Sequence, residues 1–399
     1  MPLDTGDTSF MLVATALVMI MTPGLAFFYG GLVSRKNVLA IMMQSYVSMG
    51  VSTILWVAVG YSLCFSGDVG GIIGNLDMAF LRGIEITDLG GLNDTIPLLL
   101  FVAYQMMFAI ITPALITGAF ANRITFKAYL IFLVAWQILV YYPFVHMIWG
   151  GGMLAEWGVL DFAGGIVVHA LAGMAALASV IYVGKRRVED AGAHNVPFVA
   201  IGAALLWFGW FGFNAGSELA VDEVTAVAFI NTQIAAAFAA ITWLLLAWLY
   251  DGKPSFVEML IGMIAGLATI TPAAGFVSPQ SAMLIGVAAG AVCYFAVVFR
   301  KKKGLDDALD VWGVHGVGGA LGIIMLGVLA SESIGGQNGL YHGDQDFFLV
   351  QLAGLALACV WAFAFTYGML MMIDMITPVR VTDEAEAALD VTLHGESAY

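Results

Sequence analysis

Eleven long apolar runs limit what this chain can fold into more than any other feature of its sequence. They cover residues 9–31, 38–63, 97–121, 128–149, 161–183, 197–217, 224–249, 256–274, 280–299, 308–330 and 347–374. A helix of about 17 to 25 apolar residues can cross a hydrocarbon core of roughly 30 Å. Inside that core each backbone N–H and C=O must be satisfied within its own segment, which leaves the α-helix as the solution for every run. The expected fold is an all-α polytopic membrane protein with eleven transmembrane helices, divided into a transmembrane unit at 1–374 and a polar tail at 375–399. Composition agrees, since 61% of residues are hydrophobic and 11% charged, against about 25% charged in soluble domains.

The net charge of -14 would mean an acidic solvated surface in a soluble protein. Here the acids fall in loops and in the tail, so the total says little about partners, and no nucleic acid is expected among them. The basic residues say more. Arg35-Lys36, Arg123 with Lys127, Lys185-Arg186-Arg187, Lys253, the run Arg300 to Lys303, and Arg380 all fall on alternate loops or the tail. Together they hold 13 of the 14 Lys and Arg residues, leaving only Arg82 on the other face. Lys and Arg favour cytoplasmic loops, so the expected topology has the amino terminus outside and the tail in the cytoplasm. Met1 to Ser9 lacks a basic segment, so the first run is expected to remain as a helix rather than act as a cleaved signal. Cys64, Cys293 and Cys359 have neither metal-ligand nor CxxC spacing; inert packing is expected of them, with no disulfide, metal or cofactor.

Ionisable residues inside spanning helices are costly and usually mark a substrate or proton path. Two stretches carry them: Asp161 to His169 (DFAGGIVVH) in span five, and Asp310 to Gly316 (DVWGVHG) in span ten. An echo links the halves of the chain, because Ile111-Thr112-Pro113-Ala114 lies in span three and Ile270-Thr271-Pro272-Ala273 in span eight. An offset of five spans makes corresponding helices run in opposite directions, so spans one to five and six to ten form a 5+5 inverted repeat followed by a final helix. Such repeats place sites near the bilayer midplane. With a rise of about 1.5 Å per residue, His169 lies roughly 12 Å below the outer surface and His315 roughly 14 Å above the inner one. The two imidazoles are therefore expected to meet. A bond from each ring to a backbone carbonyl explains one such histidine, but not two at matched depths. His146 is expected to be an interfacial residue, and His194, His342 and His394 lie in loops or the tail.

These motifs, with WFGWFGFNAGS at 207–217 and YQMMFAIIT at 104–112, resemble those of the ammonium transporter (Amt) family within the Amt/Mep/Rh superfamily. The resemblance runs from Pro23 to Glu396. It implies eleven helices, a homotrimer and a pore within each subunit. By the same resemblance Trp149, Phe108 and Ser217 form an outer recruitment site for ammonium, and Phe108 and Phe213 form a gate below it. His169 and His315 line the lumen as a twin-histidine pair, and Asp161 is a buried acid held by backbone amides. Asp310 is expected to serve structure or electrostatics, and Gln105 and Trp210 to line the outer vestibule. Recruitment also makes sense physically, because a desolvated cation is attracted to aromatic faces by roughly 2 kcal/mol, and a hydroxyl accepts one of its protons.

The function so implied is ammonium transport across the cell membrane: recruitment outside, deprotonation, and conduction of ammonia past the twin histidines, with the proton either following separately or left behind. Methylammonium is a further candidate substrate. The polar, acidic tail reads by composition as disordered, yet it resembles the family's cytoplasmic regulatory tail, which meets a PII-type protein. Here Ala388 precedes Leu389-Asp390 where the family commonly has glycine; a glycine-only backbone at that position would exclude such regulation. Two other readings remain. An ammonium sensor would bind and conduct little, but such proteins tend to carry an added signalling domain and none follows span eleven. An Rh-type gas channel is opposed by Trp149 and Ser217. No HExxH, GxSxG or convergent acid pair suggests an enzyme.

Overall fold

The computed structural model describes residues 3–90, 94–188 and 192–399. Among these, ten helical stretches are long and apolar enough to cross a membrane: α1 Thr5–Leu32, α2 Val38–Phe65, α3 Leu98–Ile116, α4 Phe126–Glu156, α5 Gly165–Val183, α6 Val196–Glu218, α7 Glu223–Asp251, α9 Pro279–Lys303, α10 Trp312–Leu329 and α11 Gln345–Asp374. Between α7 and α9 lies α8, Phe256–Ile270, where the sequence predicts the span 256–274. It is shorter than a full crossing because Pro272 lacks the N–H needed to continue it, and the chain proceeds in turns over 271–276. A short hairpin pairing Leu89–Gly90 with Ile96–Pro97 is a minor departure from the all-α expectation.

Most long helices start at a side-chain cap. Asp4 accepts from Asp7 N, Thr125 from Ala128 N, Asn195 from Phe198 N, Ser255 from Glu258 N and Ser278 from Ser281 N, and Asp222 forms a capping box with Thr225. Each supplies an acceptor to an N–H that has none inside the helix. Large apolar side chains such as Ile54, Phe208, Leu249, Leu284 and Val360 point outward. So much exposed apolar surface fits lipid, not water.

The echo seen in the sequence has a structural counterpart. Thr112 Oγ1 donates to Phe108 O at 2.6 Å and Thr271 Oγ1 donates to Leu267 O at 2.7 Å, each one turn back and just before a proline. Around the histidines the correspondence is closer. Both rings sit on π-helical turns, Gly165–Ala170 and Trp312–Gly316, that open α5 and α10. Four residues beyond His169, a Cβ on Gly173 would strike Gly316 Cα; four beyond His315, a Cβ on Gly319 would come within 2.6 Å of Gly165 O and 2.8 Å of His169 Cβ. Each half thus presents a glycine to the other half's histidine turn, and small residues let membrane helices approach this closely. Gly173→Ala is expected to push α5 and α10 apart and to lower stability by about 1–3 kcal/mol, read as an earlier thermal transition of the purified protein in detergent.

The tail corrects its compositional reading as disordered. It forms two short helices, α12 Asp383–Glu386 and α13 Leu389–His394, with Val381, Glu386, Leu389 and Asp390 buried. Glu386 accepts from Arg187 N at 2.6 Å and from Arg380 at 2.9 Å, while Asn37 donates to Glu386 O and accepts from Leu389 N. Asp390 Oδ1 accepts from Ala40 N at 2.8 Å and so caps α2, whose own cap residue Asn37 is engaged with the tail. Ala388 has φ -158, outside the left-handed region, so alanine is unstrained there. Asp390→Ala is expected to weaken the docked tail by about 0.5–2 kcal/mol, visible as faster proteolytic removal of the residues after Thr377.

Candidate functional site: an aromatic cup above two histidines

At the end of the bundle opposite the tail, a cavity of about 410 Å³ is lined by Gln105, Phe108, Trp149, Asp161, Ser217 and Glu218, among others. Trp149 ends the regular part of α4. Its indole Nε1 donates to Asp161 O at 2.8 Å, which fixes the ring. Phe108 meets that indole edge to face, with centroids 6.0 Å apart and planes at 87°. Ser217 donates to Phe213 O at 2.9 Å, so the oxygen's lone pairs remain available as acceptors. Gln105 also lines the cavity, and its Oε1 is buried without a partner among the described residues.

Below the cup, Phe108 and Phe213 stack with centroids 4.3 Å apart and planes at 30°. Tyr104, a residue that sequence reasoning did not single out, holds this stacked pair in place. Its hydroxyl lies 2.8 Å from Gly212 O, 3.0 Å from Phe213 O and 3.3 Å from Ser217 Oγ, and its ring packs on Phe108. The signal was its place in the YQMMF motif, one helical turn before Phe108.

Under the stacked phenylalanines, His169 Nδ1 lies 3.2 Å from His315 Nδ1, with the rings 5.2 Å apart and inclined at 17°. The rings come from the two halves of the chain, and both are buried. One Nδ1 must donate and the other accept, so the two rings hold opposite tautomers. His169 Nε2 has no partner among the described residues. The adjoining cavity, walled by apolar side chains such as Leu25, Ile111 and Val314, measures about 20 Å³, room for roughly one water-sized molecule. Trp210, expected in the outer vestibule, lies at this deeper level instead. It stacks on His169 at 5.4 Å and donates to Thr271 Oγ1 at 2.9 Å, because its position on α6 is one turn nearer the tail than Phe213.

The Asp161 carboxylate sits at the start of α5 and accepts from four backbone N–H groups: Gly164 at 2.9 Å, Gly165 at 2.6 Å, Ile166 at 2.7 Å and Val167 at 3.1 Å. Gly164 makes the turn with φ 116, a conformation that side chains disfavour. Asp310 pairs instead with Arg300 on α9. The counterpart of Asp161 is Asp307, which also lies eight residues before its histidine and accepts from Trp312 N at 2.7 Å. That shared offset was the readable sign. Burial, reinforced by the charge of Asp310, pushes the Asp307 carboxyl up to about 6.

His146 is a further correction. It is fully buried, with Nδ1 2.9 Å from Cys64 O and Nε2 2.9 Å from Asp68, and so it ties the loop after α2 to α4. His194, His342 and His394 lie away from the cavities described above. No cluster of residues suited to a metal ion occurs among the described residues.

The sequence model of the Ammonium Transporter Family matches residues 9–399. This chain belongs to the ammonium transporter family. The family falls within the Amt/Mep/Rh superfamily, and its members are membrane transporters, not enzymes. The ammonium transporter of Bacillus subtilis (strain 168) is 46% identical over 402 residues, covering 100% of this chain and 99% of its own. The crystal structure of Candida albicans Mep2 superposes with a TM-score of 0.89 at 35% identity, over 96% of this chain and 87% of that one. A solved structure titled Sensor Amt Protein superposes with a TM-score of 0.90 at 28% identity, over 98% of each chain.

Proposed function

We propose that this member of the ammonium transporter family draws ammonium into the cup of Trp149, Phe108 and Ser217, removes its proton there, and passes ammonia along the twin histidines. The observation that carries this reading is the pair of touching imidazoles directly beneath the stacked phenylalanines. Ammonium, like a lysine amine, is protonated at neutral pH. In the cup the cation meets aromatic faces and a hydroxyl acceptor, and Asp161 behind Trp149 favours positive charge. Below the gate the passage is narrow and apolar, so a hydrated ion loses its shell without replacement, whereas neutral ammonia needs only one donor and one acceptor. The opposed tautomers of His169 and His315 offer both, and together they form a route along which a proton can hop. Potassium has no proton to give up and is held back.

In this reading the cup faces outward and the tail lies in the cytoplasm at the plasma membrane, as the distribution of Lys and Arg supports. The subunits form a homotrimer with one pore each. The ordered tail, with its unstrained Ala388, is suited to receive a PII-type regulatory protein. Methylammonium enters the same cup as a larger substrate. A sensor function is the second reading, favoured by the likeness to the Sensor Amt structure.

The test is ammonium uptake into proteoliposomes, compared with Trp149→Ala. The transporter reading expects sustained uptake by the wild type and a half-saturation concentration roughly ten times higher in the variant, from the lost attraction to the indole face. Binding without uptake would favour the sensor, and equal half-saturation would remove Trp149 from the recruitment site.

A further inference from the structure

We propose that Glu218 is a second acidic determinant of cation capture, lying at the rim of the cup and adding a second carboxyl group to it. The inference rests on the reading of the cup as an ammonium site. Glu218 lines the same cavity as Trp149, Phe108, Ser217 and Asp161. It ends the tight 3-10 turn Gly216–Glu218, and the next residue, Leu219, is buried with φ 58, which anchors the turn from below. The carboxylate is half-buried, and no hydrogen bond or ion pair joins it to another described residue.

The neighbouring acids are committed elsewhere. Asp222 caps α7 through Thr225 N, Asp7 accepts from Val221 N, and Asp161 accepts its four amides. Glu218 is therefore the carboxylate of this cavity with acceptor oxygens still open. No Lys or Arg lines the cavity, and the one in the loops of this end, Arg82, lies over the Phe80 ring. A half-buried unpaired carboxylate is costly unless a cation visits it. In a partly hydrated cavity, the ionised form of such a carboxylate several ångströms from a monovalent cation raises its occupancy by about three- to tenfold. Glu218 selects for charge, while the aromatic cup selects for the ion's size and its N–H groups.

The experiment measures ammonium uptake into proteoliposomes against concentration for the wild type, E218Q and E218D, at low ionic strength and in about 0.5 M N-methylglucamine chloride, where screening shortens to a few ångströms. E218Q is expected to raise the half-saturation concentration about three- to tenfold at low salt and to lie within about twofold of the wild type at high salt. E218D, which keeps the charge, is expected to stay near the wild type. A packing defect would instead persist in salt and spare neither variant. Equal half-saturation for E218Q and the wild type at low salt, or a shift that salt does not reduce, would overturn the proposal. Should E218Q not fold, a wild-type half-saturation that is flat with ionic strength would overturn it as well. An absence of uptake by the wild type would strike the parent reading and is distinct from all of these outcomes.

Discussion

Asp161→Ala is expected to abolish transport and to leave little folded protein. Four backbone N–H groups at the start of α5 have this carboxylate as their acceptor. All four residues are buried, so water from the cavity replaces little of what is lost. An orphaned buried donor costs about 1–3 kcal/mol, so losing four acceptors costs on the order of 5–10 kcal/mol, comparable with the whole stability of many domains. The turn at 162–164 would open, and with it the carbonyl of residue 161 that holds the Trp149 indole. Asp161→Asn is the more informative variant, because its one remaining carbonyl oxygen can serve two of the four donors while its amide group opposes the others. Its yield should fall between those of wild type and alanine, with uptake reduced by at least tenfold because the charge behind the cup is gone. Thermal transitions in detergent and uptake rates on the same preparations check both statements. Near-normal stability of Asp161→Ala would mean that the amides find other acceptors.

The second large effect is expected from His169→Ala combined with His315→Ala. The two rings donate and accept across 3.2 Å, and the hydroxyl of Tyr29 and the indole N–H of Trp210, which line the same cavity, already donate to Leu115 O and Thr271 Oγ1. Without them ammonia crosses a stretch that offers no hydrogen bond, and a proton has no relay. A positioned acid or base typically contributes 10²–10⁴-fold, so uptake by the double variant should fall by on the order of a hundredfold. Folding should survive, because the rings pack against Trp210 and each other and hold no backbone group in the way that Asp161 does. A single substitution is expected to cost less than the pair. One remaining imidazole still supplies a donor and an acceptor to a molecule beside it.

Much of this architecture was legible because lipid imposes strong constraints on sequence. Apolar length marks a crossing, basic residues mark a side, and an intramembrane histidine needs a reason. The meeting of His169 and His315 followed from counting helix rise from opposite surfaces, since in a core of roughly 30 Å the two levels agreed to within about 4 Å. Other features depend on contacts between segments far apart in the chain. The order of the tail comes from Asn37, Arg187 and Ala40, which supply donors and acceptors that no reading of residues 380–399 alone contains. Trp210 was expected in the outer vestibule because its motif does not show that it lies about one turn deeper than Phe213 on the same helix. His146 lies where an interfacial residue is expected, yet the end of α2 and the loop after it engage both ring nitrogens. Asp307 is readable through its offset from His315, which equals that of Asp161 from His169, whereas Asp310 lies nearer the histidine in sequence but pairs with Arg300.

The most direct test compares entry of ammonium and of potassium into proteoliposomes holding the wild type or the doubly substituted His169→Ala, His315→Ala protein. The account predicts that ammonium enters through the wild type, that potassium does not, and that the double variant loses most of the ammonium entry while remaining folded. Potassium entry comparable with that of ammonium through the wild type, or full activity without the two imidazoles, would contradict it.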